Sequence, residues 1–262
     1  MVLEIFDVVL EPIFSVFHMA ESSIDTAAPA GILLLGLLTG LRHSIEADHV
    51  AAVSTMVAGG GKKLRNAPVL GTLWGLGHTA TLFAAGLLVL LLAVQIPEMV
   101  SGRLEFGVGI MLLFLAVTTF TGFNAGRFFR GLFNRHSHSH PHAHPEHGLV
   151  HTHEHGHEGE HHHGHKSIMV GMIHGMAGSG AIMLVVLSTI QSVPLGLAYI
   201  AIFGAGSIAS MAGVSTLIGL PFAKVHNFAR MTLALKYASA IVAFVIGAGM
   251  VYELGFVEQV FE

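Results

Sequence analysis

Long apolar runs separated by short polar stretches dominate this chain. Five runs carry few ionisable side chains, and each reaches or approaches the roughly 20 residues that a membrane-spanning helix needs. They cover residues 68–94, 104–122, 168–190, 195–220 and 231–252. A helix satisfies its own backbone hydrogen bonds in lipid, so the pattern predicts an all-α protein that crosses the bilayer several times.

A sixth apolar segment, residues 30–58, is interrupted in its middle by a polar motif. The motif at 42–49 contains one arginine, two carboxylates and two imidazoles, whereas residues 30–39 and 50–58 carry no charge. Irregular backbone is tolerated at membrane depth only where it lines a cavity enclosed by protein. We therefore predict a single span whose helix breaks at the motif.

The N-terminal segment, residues 2–19, is apolar except for an acidic stripe at helical spacing. This pattern predicts an amphipathic helix that lies on the surface or packs at the periphery. The predicted organisation has five parts: an N-terminal helix and linker at 1–28, a three-helix repeat at 29–122, a loop at 123–166, a second three-helix repeat at 167–254 and a tail at 255–262.

Composition supports a membrane protein and narrows the chemistry. Charged residues make up 11% of the chain and apolar residues 53%, whereas a soluble domain carries roughly 25% charged residues. The net charge of −4 gives no basis for binding nucleic acid. Cysteine is absent from the sequence, which leaves imidazole and carboxylate as the strong metal ligands.

The loop at 123–166 breaks the apolar pattern and contains a run of 14 histidines. It has no apolar residues that could found a core, so we expect a disordered loop. We expect it to buffer metal or to pass metal to a cytoplasmic metallochaperone; a merely hydrophilic loop is the alternative. The histidines are His136, His138, His140, His142, His144, His147, His151, His153, His155, His157, His161, His162, His163 and His165.

The distribution of positive charge predicts the orientation. If 30–58 crosses once, the loops at 59–67, 123–166 and 221–230 share one side and hold nine of the twelve Lys and Arg residues. By the positive-inside rule this side is cytoplasmic. We therefore predict a multi-pass plasma-membrane protein with six spans, a cytoplasmic His-rich loop and both termini outside.

The two halves of the chain echo each other. Residues 171–177 resemble 40–46 at an offset of 131, and residues 203–210 resemble 74–81 at an offset of 129. Three spans per half would invert the second copy, a design in which transporters place their site at the repeat interface. The second copy lacks the acids of the first, so we expect a single site built mostly by the first half. Chance similarity between Gly-rich spans is the alternative.

The polar motif carries the candidate metal ligands. Imidazole with carboxylate suits borderline divalent ions such as Ni, Co, Zn, Cu or Fe. On an unbroken helix, His43 would point about 140° away from Asp48 and about 120° away from His49. Convergence on one ion therefore needs an unwound turn or ligands from another helix. His78 is the natural fourth ligand and His174 a candidate fifth.

Two further residues of the motif have alternative roles. Glu46 is a candidate sixth metal ligand. Arg42 and Glu46 are spaced i,i+4, so the simpler expectation is an ion pair that keeps Arg42 neutralised in the membrane.

At these residues the chain resembles the nickel/cobalt transporter superfamily. That family carries Arg-His, two residues, then acid-Ala-Asp-His-Ile/Val, matched here by residues 42–50, and a Gly-His segment in the next helix, matched by Gly77-His78. Residues 74–78 and 174–181 are similar to its small UreH-like and NicO-type branch, which has six spans and often a His-rich cytoplasmic loop. The resemblance covers about residues 30–250. It implies that His43, Asp48, His49 and His78 are required for nickel or cobalt transport.

The chain departs from the larger permeases of that superfamily. It is shorter by about two spans and lacks the acidic motifs of their second half. Zn²⁺ as the cargo, or export instead of import, therefore remain alternatives within the transporter class.

Our leading hypothesis is a permease for Ni²⁺, Co²⁺ or both, without enzymatic activity or a prosthetic group, that holds the ion near the bilayer midplane. Two hypotheses come from other classes. One is a membrane metal receptor that signals through the loop. The other is an intramembrane metallo-hydrolase with Glu46 as general base, which is disfavoured because the sequence has no His-Glu-x-x-His element.

Overall fold

The computed structural model describes residues 2–26, 28–59, 67–92, 97–122, 142–143, 150–151, 161–175, 186–187, 189–190, 192–225 and 227–261. Those residues form eight α-helices, two short strands and one π-helical turn. The helices are α1 (Val2–Ser22), α2 (Pro29–His43), α3 (Ala47–Gly59), α4 (Ala67–Leu92), α5 (Glu98–Thr121), α6 (His161–Gly175), α7 (Val193–Val225) and α8 (Ala229–Tyr252); β1 (His142–Ala143) pairs with β2 (Val150–His151), and the π-turn is Glu253–Val257.

Four of the described helices are long and apolar enough to cross a membrane: Ala67–Leu92, Met99–Thr121, Val193–Val225 and Ala229–Val257. Large apolar side chains on their outer faces are exposed, among them Leu91 at 65%, Phe114 at 47% and Phe244 at 47%. Apolar exposure on this scale needs a nonaqueous neighbour. The chain is therefore all-helical and compatible with a polytopic membrane protein. The count of six spans stays a prediction.

The helical segment at 29–59 is broken where the polar motif predicted an interruption. Helix α2 ends at His43 and α3 begins at Ala47. The three residues between them form a tight turn, in which the Glu46 amide donates to the His43 carbonyl at 3.3 Å. The Ser44 hydroxyl, fully buried, anchors the turn to α7 through the Ser207 carbonyl at 3.0 Å.

The helices pack in an arrangement that relates the two halves of the chain. Helix α2 packs along α7, and α6 packs along α4. Helix α4 also packs against α7, and α5 packs against α8. If α2, α4 and α5 are exchanged for α6, α7 and α8 in that order, the α2–α7 contact becomes the α6–α4 contact. The α4–α7 and α5–α8 contacts are each mapped onto themselves.

Two glycines produce equivalent close approaches in this arrangement. A Cβ on Gly40 would collide with the backbone of Phe203, and a Cβ on Gly171 would collide with the backbone of Trp74. Gly171 aligns with Gly40, and Phe203 with Trp74, in the internal repeat. Small residues are what let helix backbones meet this closely.

The larger hydrophobic core is formed by α3, α4, α5, α6, α7 and α8. Its most buried members include Val53, Trp74, Leu112 and Met211. A second core at the other end of α4 and α7 contains Leu82 and Tyr199. The break therefore lies beside packed protein, as non-helical backbone in lipid requires.

Within the predicted loop at 123–166, the structure describes two elements that the sequence did not indicate. Helix α6 begins at His161, earlier than predicted, and the β1–β2 pair places His142 opposite His151. Backbone pairing of this kind needs no apolar core, which is why composition did not indicate it. The rest of the loop lies outside the described residues.

Candidate metal centre

Side chains from four helices meet at the break between α2 and α3. His43 is the last residue of α2, while Asp48 and His49 lie in the first turn of α3. His78 comes from the middle of α4 and His174 from the end of α6. All four imidazoles are buried, with His43 at 3% exposure and the other three at 0%.

Three of the imidazoles converge. The Nε2 atoms of His43 and His78 lie 3.0 Å apart. The ring centroid of His49 lies 4.4 Å from that of His43 and 5.1 Å from that of His78. Two nitrogens bound to one ion at about 2.1 Å are roughly 3 Å apart, so this spacing is close to that of a metal site.

Asp48 joins two imidazoles on the other side of His49. Its Oδ1 lies 2.7 Å from His49 Nδ1 and accepts the His49 backbone amide at 2.8 Å. Its Oδ2 lies 2.9 Å from His174 Nε2. Carboxylate–imidazole contacts of this kind fix the ring orientation of metal-binding histidines.

Buried ring nitrogens without partners mark the centre as a ligand site. Among the described residues, Nε2 of His49, Nδ1 of His78 and Nδ1 of His174 have no hydrogen-bond partner. Leaving a buried polar atom unpaired costs about 1–3 kcal/mol. A divalent ion that prefers imidazole and carboxylate fits this donor set. Two groups of three donors meet the spacing: His43, His49 and His78, and Asp48, His49 and His174.

The remaining motif residues do not pair as expected. Glu46 Oε2 lies 3.1 Å from Nδ1 of His43, and Arg42 lies 3.4 Å from the Glu21 carboxylate on α1. The predicted Arg42–Glu46 ion pair is therefore wrong. The reason is that α2 ends at His43, so the i,i+4 geometry of a continuous helix is lost. Glu46 lies against the outer edge of the His43 ring.

Sequence reasoning missed Trp74, the single tryptophan of the chain. Its indole stacks on the His78 ring at 5.1 Å and an interplanar angle of 9°. It also meets His49 and His174 edge-on, each at 5.2 Å. The signal was present in the sequence, because Trp74 and His78 are spaced i,i+4 and so share a helix face.

An acidic cavity beside the centre was also missed. A cavity of about 370 Å³ is lined by five carboxylate residues together with Ala47, Met250 and Leu254. No basic residue is among its described lining residues. These side chains come from distant parts of the chain, so no local pattern connects them. The carboxylates are Glu46, Asp48, Glu105, Glu253 and Glu258.

The structure gives only backbone for part of the predicted His-rich set. The backbones of His142, His151 and the four histidines between 161 and 165 are described. The other eight histidines of the predicted set lie outside the described residues.

Fold and site together define an all-helical, membrane-type protein with a buried imidazole–carboxylate centre that can hold a metal ion. The chain is 36% identical to the urease accessory protein UreH of Bacillus sp. (strain TB-90). The alignment has 231 residues and covers 88% of this chain and 95% of that protein. The chain therefore belongs to the nickel/cobalt transporter family, which confirms the resemblance.

A second relative is more distant. The chloroplast protein FOR GROWTH AND FERTILITY 1 of Arabidopsis thaliana is 26% identical over 239 residues, which cover 88% of this chain and 62% of that protein. The chain thus spans less than two thirds of the plant protein. No protein-family model matches the chain. No solved structure matches it either.

Proposed function

We propose that the protein is a permease that carries Ni²⁺, Co²⁺ or both across the cell membrane. The observation that carries the proposal is the group of four buried imidazoles around Asp48, three of which have ring nitrogens without partners among the described residues. A structural histidine would satisfy those nitrogens by hydrogen bonds. Membership of the nickel/cobalt transporter family supports the choice of ion.

The ligands we assign to the ion are His43, Asp48, His49, His78 and His174. Glu46 reaches the opposite nitrogen of His43, so we assign it a positioning role instead of the ligand role predicted from sequence. Trp74 limits the movement of the His78 ring by stacking on it. The protein is thus proposed to act as a carrier without enzymatic activity, with the ion as cargo and no prosthetic group.

We propose six spans arranged as two inverted repeats. Neither α2, with 15 residues, nor α3, with 13, is long enough to span alone, so the two together would make one crossing. Repeat-related contacts support the inversion. A Cβ on Gly77 would meet the Ile168 carbonyl, and a Cβ on Gly206 would meet the Leu37 carbonyl. These two contacts are equivalent in the repeat: Gly206 follows Gly77 by 129 residues, and Ile168 follows Leu37 by 131. The same two offsets relate the similar stretches of the two halves.

Orientation follows from the positive-inside rule. The start of α5 and the C-terminal tail would face outward, and the His-rich loop would face the cytoplasm. The acidic cavity is built by those outward-facing elements. Import is therefore the direction we propose. Metal leaving the centre would meet the loop histidines, which could pass it to a metallochaperone or to nickel-enzyme maturation proteins.

Release of the ion would use the two-fold arrangement. The centre lies between α2–α3 of one half and α6 of the other, while α4 contacts both. A relative rocking of the two halves would separate His174 from Asp48 and change the access of the site.

Metal flux in sealed proteoliposomes tests the proposal. Ni²⁺, Co²⁺ and Zn²⁺ entry should be measured for the wild type, for His49→Ala and for His18→Ala, a control histidine exposed on α1. Saturable Ni²⁺ or Co²⁺ entry that the control retains and His49→Ala loses is the expected result. Zn²⁺ as the only cargo would reassign the substrate. Flux that His49→Ala leaves unchanged would refute the site, and tight binding without flux would favour a receptor.

A further inference from the structure

We infer that the metal ion occupies two successive positions that share His49, an outer one formed by Asp48, His49 and His174 and an inner one formed by His43, His49 and His78. This inference deepens the proposed function and rests on it for the identity of the ion. The acid-lined cavity opens on the outer position.

The donor atoms divide into two groups. Each group has its three donors within 4.8 Å of one another, and His49 is the member common to both. His78 and His174 do not share a group, and their ring centroids are 6.1 Å apart. Two donors on opposite sides of one ion with bonds of about 2.1 Å are roughly 4.2 Å apart, so small side-chain movements let either group close on one ion. Among the described residues, no set of four or five donors meets the 4.8 Å limit that each group of three meets.

Each group contains a fully buried histidine with an unpartnered nitrogen, His174 in the outer group and His78 in the inner one. Among the described residues Nδ1 of each has no partner, whereas Nε2 of His174 lies against Asp48 and Nε2 of His78 against His43. His49 has its Nδ1 against Asp48 and its Nε2 without a partner among the described residues. A ring flanked by the two groups in this way is suited to pass an ion from one to the other.

The cavity reaches the outer group but not the inner one. Asp48 is the only metal-group member among the described residues of the cavity wall. Its carboxylate also contacts His49 and His174, both at 0% exposure. A cation in the cavity would therefore meet a member of the outer group, Asp48, directly. Of the inner group, His43 contacts the cavity wall only through Nδ1, which lies 3.1 Å from Glu46 Oε2, while its Nε2 faces His78.

The opposite wall of the cavity comes from the C-terminal tail, which packs on the start of α5. Arg103 donates from Nε to the Val260 carbonyl at 2.8 Å, and the Phe261 ring meets Phe106 edge-on at 4.9 Å. These contacts hold Glu253 and Glu258 opposite Glu105. Carboxylates that line a cleft raise the local concentration of cations, an effect that added salt weakens.

Equilibrium Co²⁺ binding in detergent tests the two positions, because the absorption of Co²⁺ depends on its ligands. His174→Ala removes only the outer group and His78→Ala only the inner one. Each variant should still bind one Co²⁺ per chain, about 10–100-fold more weakly, and the two should give different spectra. The double variant should lose saturable binding, while His18→Ala should match the wild type.

Three outcomes would overturn the inference: identical spectra in the two single variants, loss of saturable binding in either one, or retention in the double variant. His174→Gln and His78→Gln, which keep a polar side chain of similar size, replace the alanine variants if these do not elute as folded protein. Co²⁺ binding at two distinguishable positions without flux would refute the permease but not the two positions. Flux that depends on His49, together with identical Co²⁺ spectra in the two single variants, would refute the two positions but not the permease.

The cavity has a separate test. Glu105→Gln and Glu258→Gln should raise the KM for Co²⁺ entry about threefold or more at low salt, with the effect shrinking at high salt. The Co²⁺ spectrum and the maximal rate should stay unchanged, because neither residue belongs to either group. Glu11→Gln, an exposed carboxylate on α1, is the matched control. An unchanged KM in both cavity variants would refute the cavity as the entry route.

Discussion

Replacement of Asp48 by asparagine tests the centre most directly, because one carboxylate makes three of its polar contacts. Asp48 accepts the His49 backbone amide at 2.8 Å and lies 2.7 and 2.9 Å from ring nitrogens of His49 and His174. An asparagine at this position would keep the shape of the side chain but have one acceptor oxygen instead of two and no charge. One imidazole contact must then be lost or reversed.

The size of the effect follows from those contacts. Removal of a partner that orients a metal ligand typically lowers metal affinity about 10–100-fold. Hydrogen bonds to a charged group contribute about 1.5–3 kcal/mol against about 1 kcal/mol for neutral ones. Loss of charge assistance at two imidazoles therefore costs roughly 2 kcal/mol or more, about 30-fold in affinity. Loss of the carboxylate as a ligand adds to this, so we expect Asp48→Asn to weaken binding on the order of 100-fold or more.

Isothermal titration of the purified protein in detergent with Ni²⁺ and Co²⁺ measures this change. Glu11→Gln removes an exposed carboxylate and should leave the affinity unchanged. Elution of Asp48→Asn as a single folded species separates lost binding from misfolding. Binding by this variant within about twofold of the wild type would show that the Asp48 carboxylate neither binds nor orients the ion.

Three further predictions follow from the same geometry. Trp74→Phe should keep metal flux within about threefold, since an aromatic face remains on His78. Trp74→Leu should lower metal flux about tenfold, because it loses both the stacking, worth about 1 kcal/mol, and a packed ring. Equal flux in the two variants would contradict the role of the stack. Gly40→Ala should destabilise the fold by about 1–3 kcal/mol, since its Cβ would collide with the Phe203 backbone. In the control Gly107→Ala the added Cβ meets no atom, so this variant should be neutral. Thermal melting followed by size-exclusion chromatography measures both variants, and equal melting midpoints would refute the close approach. Deletion of 136–165 should leave the initial rate of flux intact and lower the amount of metal retained by the protein, measured by equilibrium dialysis; complete loss of flux would contradict a buffering role.

Much of the candidate site could be read from local sequence. The apolar periodicity indicated the helices, and the ionisable residues within 42–49 indicated where the first span breaks. The candidate ligands His43, Asp48, His49 and His78 stand in short motifs, and the resemblance to the nickel/cobalt transporter family rests on those same residues. The alignment of Gly171 with Gly40 was also visible in the sequence, but the helix backbones that these glycines approach were known only from the structure.

Other features depended on contacts between distant segments. The partner of Arg42 is Glu21 of α1, because the helix break removes Glu46 from its reach. Trp74 became part of the site only when α3 and α6 brought His49 and His174 against it. Side-chain spacing along one helix indicates which residues share a face, but not what that face meets.

The sequence by itself determined the helical membrane character of the protein, the place of the break and the chemical type of the ligands, since these depend on residue types and on spacing within one segment. Only the tertiary structure decided that the candidate metal donors divide into two groups that share His49, and that Glu105 and Glu258 line the same cavity as Asp48. The physical reason is that the relative placement of helices is set by packing at Gly-mediated contacts, where a shift of one turn, about 5.4 Å, would bring different side chains together.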